Sequence, residues 1–189
     1  PRRIAPAVVA RERPPRLALI ERFPWATIDT EAGAALDAAA TRLRLAGAEV
    51  IAVVLPDAFD DAPAVHRALM LHEASINLAH LPRAGLSATL TDALDAGRAI
   101  DHGQYLRAQA ARHAMRATAL DWMANFDAVM MPPAPGAAPA SLDVTGDPSC
   151  CTLWSLLGFP AIALPIGLTG NRMPLGMQLA STQDHDDSL

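Results

Sequence analysis

Apolar residues along this chain occur in two kinds of pattern, short unbroken runs and stripes at helical spacing. Arg16-Leu-Ala-Leu-Ile20 and the β-branched run Glu49-Val-Ile-Ala-Val-Val-Leu55 are of the first kind and predict buried strands. Between them Leu36, Ala39, Ala40, Leu43 and Ala46 recur on one helical face, with Asp29 or Thr30 placed to cap the start and Gly47 just past the end. Strand, helix, strand predicts two parallel neighbours joined by a right-handed crossover.

A helical block follows. Asp61 to His80 carries Val65, Leu69, His72 and Ile76 on one face and stops before Pro82, while Ser87 to Ala96 is a short helix expected to close at Gly97. Asp101-His-Gly-Gln104 has the form of a capping box and opens a long helix running through Asn125. Asp127-Ala-Val-Met-Met131 reads as a strand terminated by Pro132 and Pro133, and residues 134–145 read as loop. Asp147-Pro148 predicts a helix start, with the aspartate as cap and the proline in the first position, and Gly158 predicts its end. The chain finishes with a strand over Gly158–Gly167, expected to be buried and stiffened by Pro160 and Pro165. A turn at Thr169-Gly-Asn-Arg172 leads to a second strand over Met173–Leu179. No internal repeat divides these elements, so residues 1–189 are expected to form one α/β unit, a mixed and largely parallel sheet flanked by helices. Residues 1 to 15 read as an extended lead-in. The absent initial methionine and the acidic start of another helix at Asp184-His-Asp-Asp-Ser-Leu189 give both ends the look of cut ends.

Composition narrows the function classes. A chain of 189 residues, 51% hydrophobic and 19% charged, buries a core, and a net charge of −5 without a basic stripe argues against nucleic-acid binding. No apolar run reaches the roughly 18 residues of a membrane span, and the proline- and arginine-rich start has no signal core, so a cytoplasmic, membrane-free protein is expected. Cys150 and Cys151 are adjacent, which strains a mutual disulfide and predicts free, partly buried thiols. All fifteen basic residues are arginines. The chain has no lysine.

Common catalytic and nucleotide motifs are absent, among them G-x-G-x-x-G, the P-loop and G-x-S-x-G. His72-Glu73 begins like a zinc H-E-x-x-H, but Ile76 stands in the second histidine's place, so no metal ligand set and no cofactor are predicted. Arg112 falls on the apolar face of the long helix with Tyr105, Ala108, Met115 and Trp122, and a guanidinium there needs a partner, either a structural carboxylate or a substrate anion. Trp154 sits in a short helix that is apolar nearly all round; it is either a pocket wall or plain core. A ligand crevice in an open α/β sheet lies beyond the carboxyl ends of the strands, which makes the loops after Met131 and Gly167, with the Pro132 to Thr145 loop as rim, the place to look.

The last two strands also carry a family mark. Gly158-Phe-Pro-Ala-Ile-Ala-Leu-Pro-Ile-Gly167 and Met173-Pro-Leu-Gly-Met-Gln-Leu179 resemble the G-x-P-A-x-x-x-P-x-G and P-x-G-x-Q-L segments of the amidase-signature hydrolases. Pro15 to Ile20, Leu45 to Val50, Glu73-Ala74, Gly97 through Ala108, Phe126 to Pro133 with Ala138-Pro139, and Thr145 to Pro148 match the family in the same order, covering roughly residues 14 to 187. The resemblance implies the C-terminal half of that fold and the hydrolysis of carboxylic amides through an acyl-enzyme. In the family, a serine, a second serine beside a cis peptide and a lysine do this work, with backbone amides holding the oxyanion. Those parts lie upstream of everything matched here, and this chain has no Gly-Gly pair, no Gly-Ser-Ser run and no lysine, so no catalytic residue is carried over.

In the glutamine-using amidotransferase branch, Arg112 falls on an arginine proposed to hold the substrate's carboxylate. That branch also expects an acid where Pro148 stands, with Asp147 one place off, and an asparagine where Ser155 stands. A general bacterial amidase, whose chains often read T-G-D-P and then W-x-L-L-G-x-P, is therefore the closer resemblance, with Arg112, Trp154 and Asp147 as candidate substrate-binding residues. The expected partners are a small-molecule amide, the missing N-terminal half and, for the fragment alone, a second copy. The competing expectation is a non-catalytic α/β binding or interaction domain that reuses this half-fold.

Overall fold

A computed structural model describes residues 13–183, so the lead-in before Arg13 and the acidic tail from Asp184 lie outside the described residues. In chain order the elements are β1 (Arg16–Ile20), α1 (Thr30–Leu45), β2 (Glu49–Val53), a 3₁₀ turn (Asp57–Phe59), α2 (Ala62–Asn77), α3 (Ala88–Arg98), α4 (His102–Met123), β3 (Ala128–Met131), α5 (Ser149–Leu157), β4 (Ala161–Leu168) and β5 (Pro174–Ala180). The five strands form one mixed sheet in the order β2-β1-β3-β5-β4. β1 pairs in parallel with β2 and with β3, and β5 is antiparallel to both β3 and β4. Four strands therefore point the same way, and β5 alone is reversed.

Side-chain alternation in β1 divides the core in two. Leu17 and Leu19 pack with Leu36, Ala39 and Ala40 of α1 on one face of the sheet. Ala18 and Ile20 face the other layer, where Leu69 of α2, Met115 and Ala119 of α4 and Leu153, Trp154 and Leu157 of α5 meet Val129 and Met131. Helices cover both faces, as the apolar runs of the parallel strands require.

Local signals account for most element ends. α1 ends in a Schellman arrangement, with Gly47 at φ 97°, its N–H bonded to Arg44 O and the Ala48 N–H to Leu43 O. The capping box of α4 is formed on both sides, Gln104 N to Asp101 Oδ1 at 2.7 Å and Asp101 N to Gln104 Oε1 at 2.9 Å.

Four expectations change. β2 stops at Val53 instead of Leu55, because its partner β1 ends at Ile20 and Pro56 follows. The face of α2 is shifted: Leu69, Leu71 and Ser75 are buried while Ile76 is 61% exposed, since α2 packs against α3 as well as α4 and α5. Gly97 lies inside α3 and is not its terminator. A Cβ there would sit 2.0 Å from the carbonyl oxygen of Leu71, so the glycine serves close helix packing. Finally, β4, expected to be a buried strand, is an edge of the sheet, as β2 is at the other side, and is exposed along most of its length.

Candidate functional site

The chain leaves β1 through α1 to reach β2 on one side, and returns through α2, α3 and α4 to β3 on the other side of β1. With α1 on one face and the remaining helices on the opposite one, the carboxyl ends of β1 and β3 form a topological switch point, where open α/β sheets place their ligand crevice. Two depressions lie there. One, of about 490 Å³, is lined by residues following β1, among them Glu21, Arg22 and Asp29, together with Gly33 and Asp37 of α1. The other, of about 500 Å³, is lined by Asp29, by the loop from Pro133 to Pro139, by Thr145 to Asp147 and by Gly176.

Asp29 is the wall they share. Its backbone N–H donates to Pro135 O at 2.8 Å, clasping the loop after β1 to the loop after β3. Its carboxylate turns toward Gly136, where a Cβ would lie 1.9 Å from Oδ2, so only glycine admits this approach. Asp29 occupies the N-cap position of α1, as its place in the sequence predicts, yet its side chain makes no capping bond. Glu31 in the first turn accepts from Gly170 N at 2.7 Å instead, which holds the β4–β5 turn against the start of α1 at the same edge of the sheet.

Of the three candidate substrate-binding residues, Asp147 lies in this crevice. Its Oδ1 accepts from Ser149 N at 2.8 Å, but Pro148 and not Asp147 takes the N-cap position, so α5 starts one residue later than the Asp-Pro signal implied. Arg112 is at the other end of α5. Nine residues of helix separate the two by about 13 Å at about 1.5 Å per residue. There Arg112 lines a smaller depression, about 230 Å³, with His66, Met70, Glu73 and Ser155. Its Nε is buried without a hydrogen-bond partner, and it pairs with no carboxylate among the described residues. The neighbouring Arg116 donates to Leu157 O at 2.6 Å and stacks over Phe159, answering the carbonyl end of α5 where Gly158 turns left-handed at φ 67°. Glu73 is held by the Tyr105 hydroxyl at 3.1 Å, itself bonded by Gln109, and His72 lies against the Tyr105 ring. Burial lowers the pKa of His66, which favours a neutral imidazole in that pocket. Trp154, between the two ends, is 2% exposed and packs in the core, lining none of these three depressions.

Beside the crevice, the Cys151 thiol donates to Pro133 O at 2.9 Å and approaches the buried Gln178 Oε1 at 3.4 Å. Burial pushes Cys150 up to about 12 and raises Cys151 as well. Both thiols are free and protonated at neutral pH. Native protein at pH 8 is therefore expected to react with a disulfide reagent much more slowly than the same protein in urea; equal rates in the two conditions would contradict the buried placement.

The sequence points to the loop after β3 but not to Asp29 and Gly136, which the fold brings together there. The signal for these two is topological: once β1 and β3 are neighbours, the residues following β1 belong to the switch point.

A domain with a mixed sheet and a crevice at its switch point is built as an α/β enzyme domain is. The family model that matches, over residues 1–189, is Amidase, and the chain belongs to the amidase family. A 2-amino-5-chloromuconic acid deaminase of Comamonas testosteroni is 29% identical over 169 residues, covering 82% of this chain and 37% of the relative. A glutamyl-tRNA(Gln) amidotransferase subunit of Gluconobacter oxydans (strain 621H) is 32% identical over 182 residues, covering 79% and 37%. A crystal structure of an amidase superposes with a TM-score of 0.80 at 26% identity, over 93% of this chain and 43% of that one. A bacterial aryl acylamidase of the amidase signature family shares the fold, with a TM-score of 0.73 at 19% identity over 93% of this chain and 41% of that one. The chain thus spans a little over a third of the length of its curated relatives. Among the described residues no helix is long and apolar enough to cross a membrane.

Proposed function

We propose that this chain is the carboxyl-terminal part of an amidase that hydrolyses small carboxylic amides in the cytoplasm. The observation that carries this reading is the crevice at the β1 and β3 carboxyl ends, built by a family member that has no lysine. The family's acyl-enzyme chemistry needs a base to activate its serine, and with lysine absent that part resides in polypeptide outside these 189 residues. This chain supplies the crevice wall instead: Asp29 seated over Gly136, Asp147 at the start of α5, and the rim after β3. Arg112, with its buried unpartnered Nε, is the group to meet an anion at the far end of α5. Trp154 shapes the site by holding α5 against the sheet.

The purified 189-residue chain is expected to hydrolyse no amide and to form no hydroxamate from amide and hydroxylamine, whereas the longer protein encoded by its gene is expected to do both. Turnover by the chain alone, kept after controls for contaminating amidase, would falsify the assignment of the catalytic groups elsewhere. With β4 uncovered, the chain alone is also expected to self-associate weakly, seen as a larger apparent size on sizing chromatography as concentration rises.

A further inference from the structure

Three helices meet at the depression that Arg112 lines. Leu69, Met70 and Glu73 come from α2, Arg112 from α4, and Ser155 and Leu156 from α5. An arginine and a glutamate thus border one cavity of about 230 Å³, yet they form no ion pair, and Arg112 Nε is left without a partner. Between apolar walls opposite charges attract strongly, so the separation of these two has a cause.

The cause lies on α4. Tyr105, Gln109 and Arg112, spaced by four and then three residues, share one face of that helix. Gln109 Nε2 donates to the Tyr105 hydroxyl at 2.7 Å, and the hydroxyl in turn gives its single proton to Glu73 Oε1 at 3.1 Å. The His72 ring lies on the phenol with centroids 4.4 Å apart, which fixes the hydroxyl in place. Tyr105 and Gln109 are both neutral. Glu73 is therefore hydrogen-bonded without a cation, and the charge of Arg112 stays uncompensated beside the cavity. Burial favours the neutral form of His66 on the same wall, so the arginine is the charged donor there.

We propose that Tyr105 is a positioning residue: by holding Glu73 it leaves Arg112 open to a ligand carboxylate, and once that hold is lost Glu73 swings onto Arg112 and occupies the site itself. This rests on the reading of Arg112 as the group that meets an anion. The swing needs only rotation about the single bonds of one glutamate, since both groups already border the same small cavity. A ligand must then displace an internal carboxylate, and its apparent affinity falls by the fraction of molecules left open.

Propionate is a suitable probe and propionamide its neutral control, with saturable binding to the full polypeptide encoded by the gene followed by ligand-observed NMR. The unaltered protein is expected to prefer propionate, and Arg112→Gln to lose that preference. Tyr105→Phe is expected to weaken propionate binding at least roughly fivefold, and adding Glu73→Gln to Tyr105→Phe to restore it to within about twofold. Should Tyr105→Phe fail to fold, Gln109→Leu removes the bond that steadies the hydroxyl and is expected to act in the same direction, again with rescue by Glu73→Gln. If the Tyr105 bond served only to tie α4 to α2, neutralising Glu73 would rescue nothing, and that result overturns the proposal. Unchanged affinity in Tyr105→Phe overturns it as well and leaves the anion reading of Arg112 standing. Propionate binding that is absent, or indifferent to Arg112→Gln, sinks both.

Discussion

Trp154→Ala is expected to cost about 3–5 kcal/mol of unfolding free energy, the range for truncating a large aromatic in a packed core. Trp154 is the largest fully buried side chain, placed where α5 meets the sheet and α4. Removing it leaves a void that Leu153 and Leu157, on the same rigid helix, cannot close by shifting alone. One detail makes a second substitution informative. The indole Nε1 is buried without a hydrogen-bond partner, and an unsatisfied buried donor costs about 1–3 kcal/mol. Trp154→Phe removes that donor along with some volume, so the two effects oppose each other and a loss well under half that of Trp154→Ala is expected. Urea unfolding followed by far-UV circular dichroism measures both. If phenylalanine proves as damaging as alanine, the indole N–H has a partner and the tryptophan's role is not simple packing.

Gly97→Ala is expected to destabilise by about 2 kcal/mol, although alanine is the better helix former. The propensity gain in a helix interior is about 1 kcal/mol, while forcing a methyl into a filled space costs about 1–3 kcal/mol. Here the upper end applies, because the obstacles are Leu71 O at 2.0 Å and Leu71 C at 2.6 Å, main-chain atoms of α2 that no rotamer change can move. Gly33→Ala is the matched control. It is also in a helix, α1, and nothing lies within 4 Å of the added methyl, so it is expected to gain up to about 1 kcal/mol. Unfolding midpoints that move in opposite directions support the close packing of α3 on α2; a stabilising Gly97→Ala would refute it.

The same glycine separates local from tertiary signals. A glycine near the end of a helical stretch predicts termination, and Gly47 and Gly158 do terminate helices, with positive φ values of 97° and 67°. Gly97 looks the same in sequence. What differs is the turn of α2 beside it, about twenty-five residues away along the chain, and no local pattern contains that. Ile76 is exposed for a related reason, since a helix that packs on three neighbours, as α2 does on α3, α4 and α5, has no single apolar stripe.

For the crevice, the loop after β3 was legible because Pro132 and Pro133 end a strand visibly. The role of Asp29 was not. It depends on β1 and β3 becoming neighbours and on Gly136 admitting a carboxylate from a loop more than a hundred residues earlier in the chain. Likewise Asp147 and Arg112 were candidates for one substrate site, and α5 holds them a helix length apart.

By itself the sequence determined the family, the order of the elements and the lack of any lysine in these 189 residues, because composition, motifs, helix caps and periodicity are written in single or neighbouring residues. Only the tertiary structure decided that β4 is an open edge, that Trp154 is core, and that Asp29 and Asp147 share a crevice from which Arg112 is remote. Those outcomes turn on which strands pair and which helix ends meet. These are contacts between segments distant in sequence, and their energies depend on mutual fit that no one segment encodes.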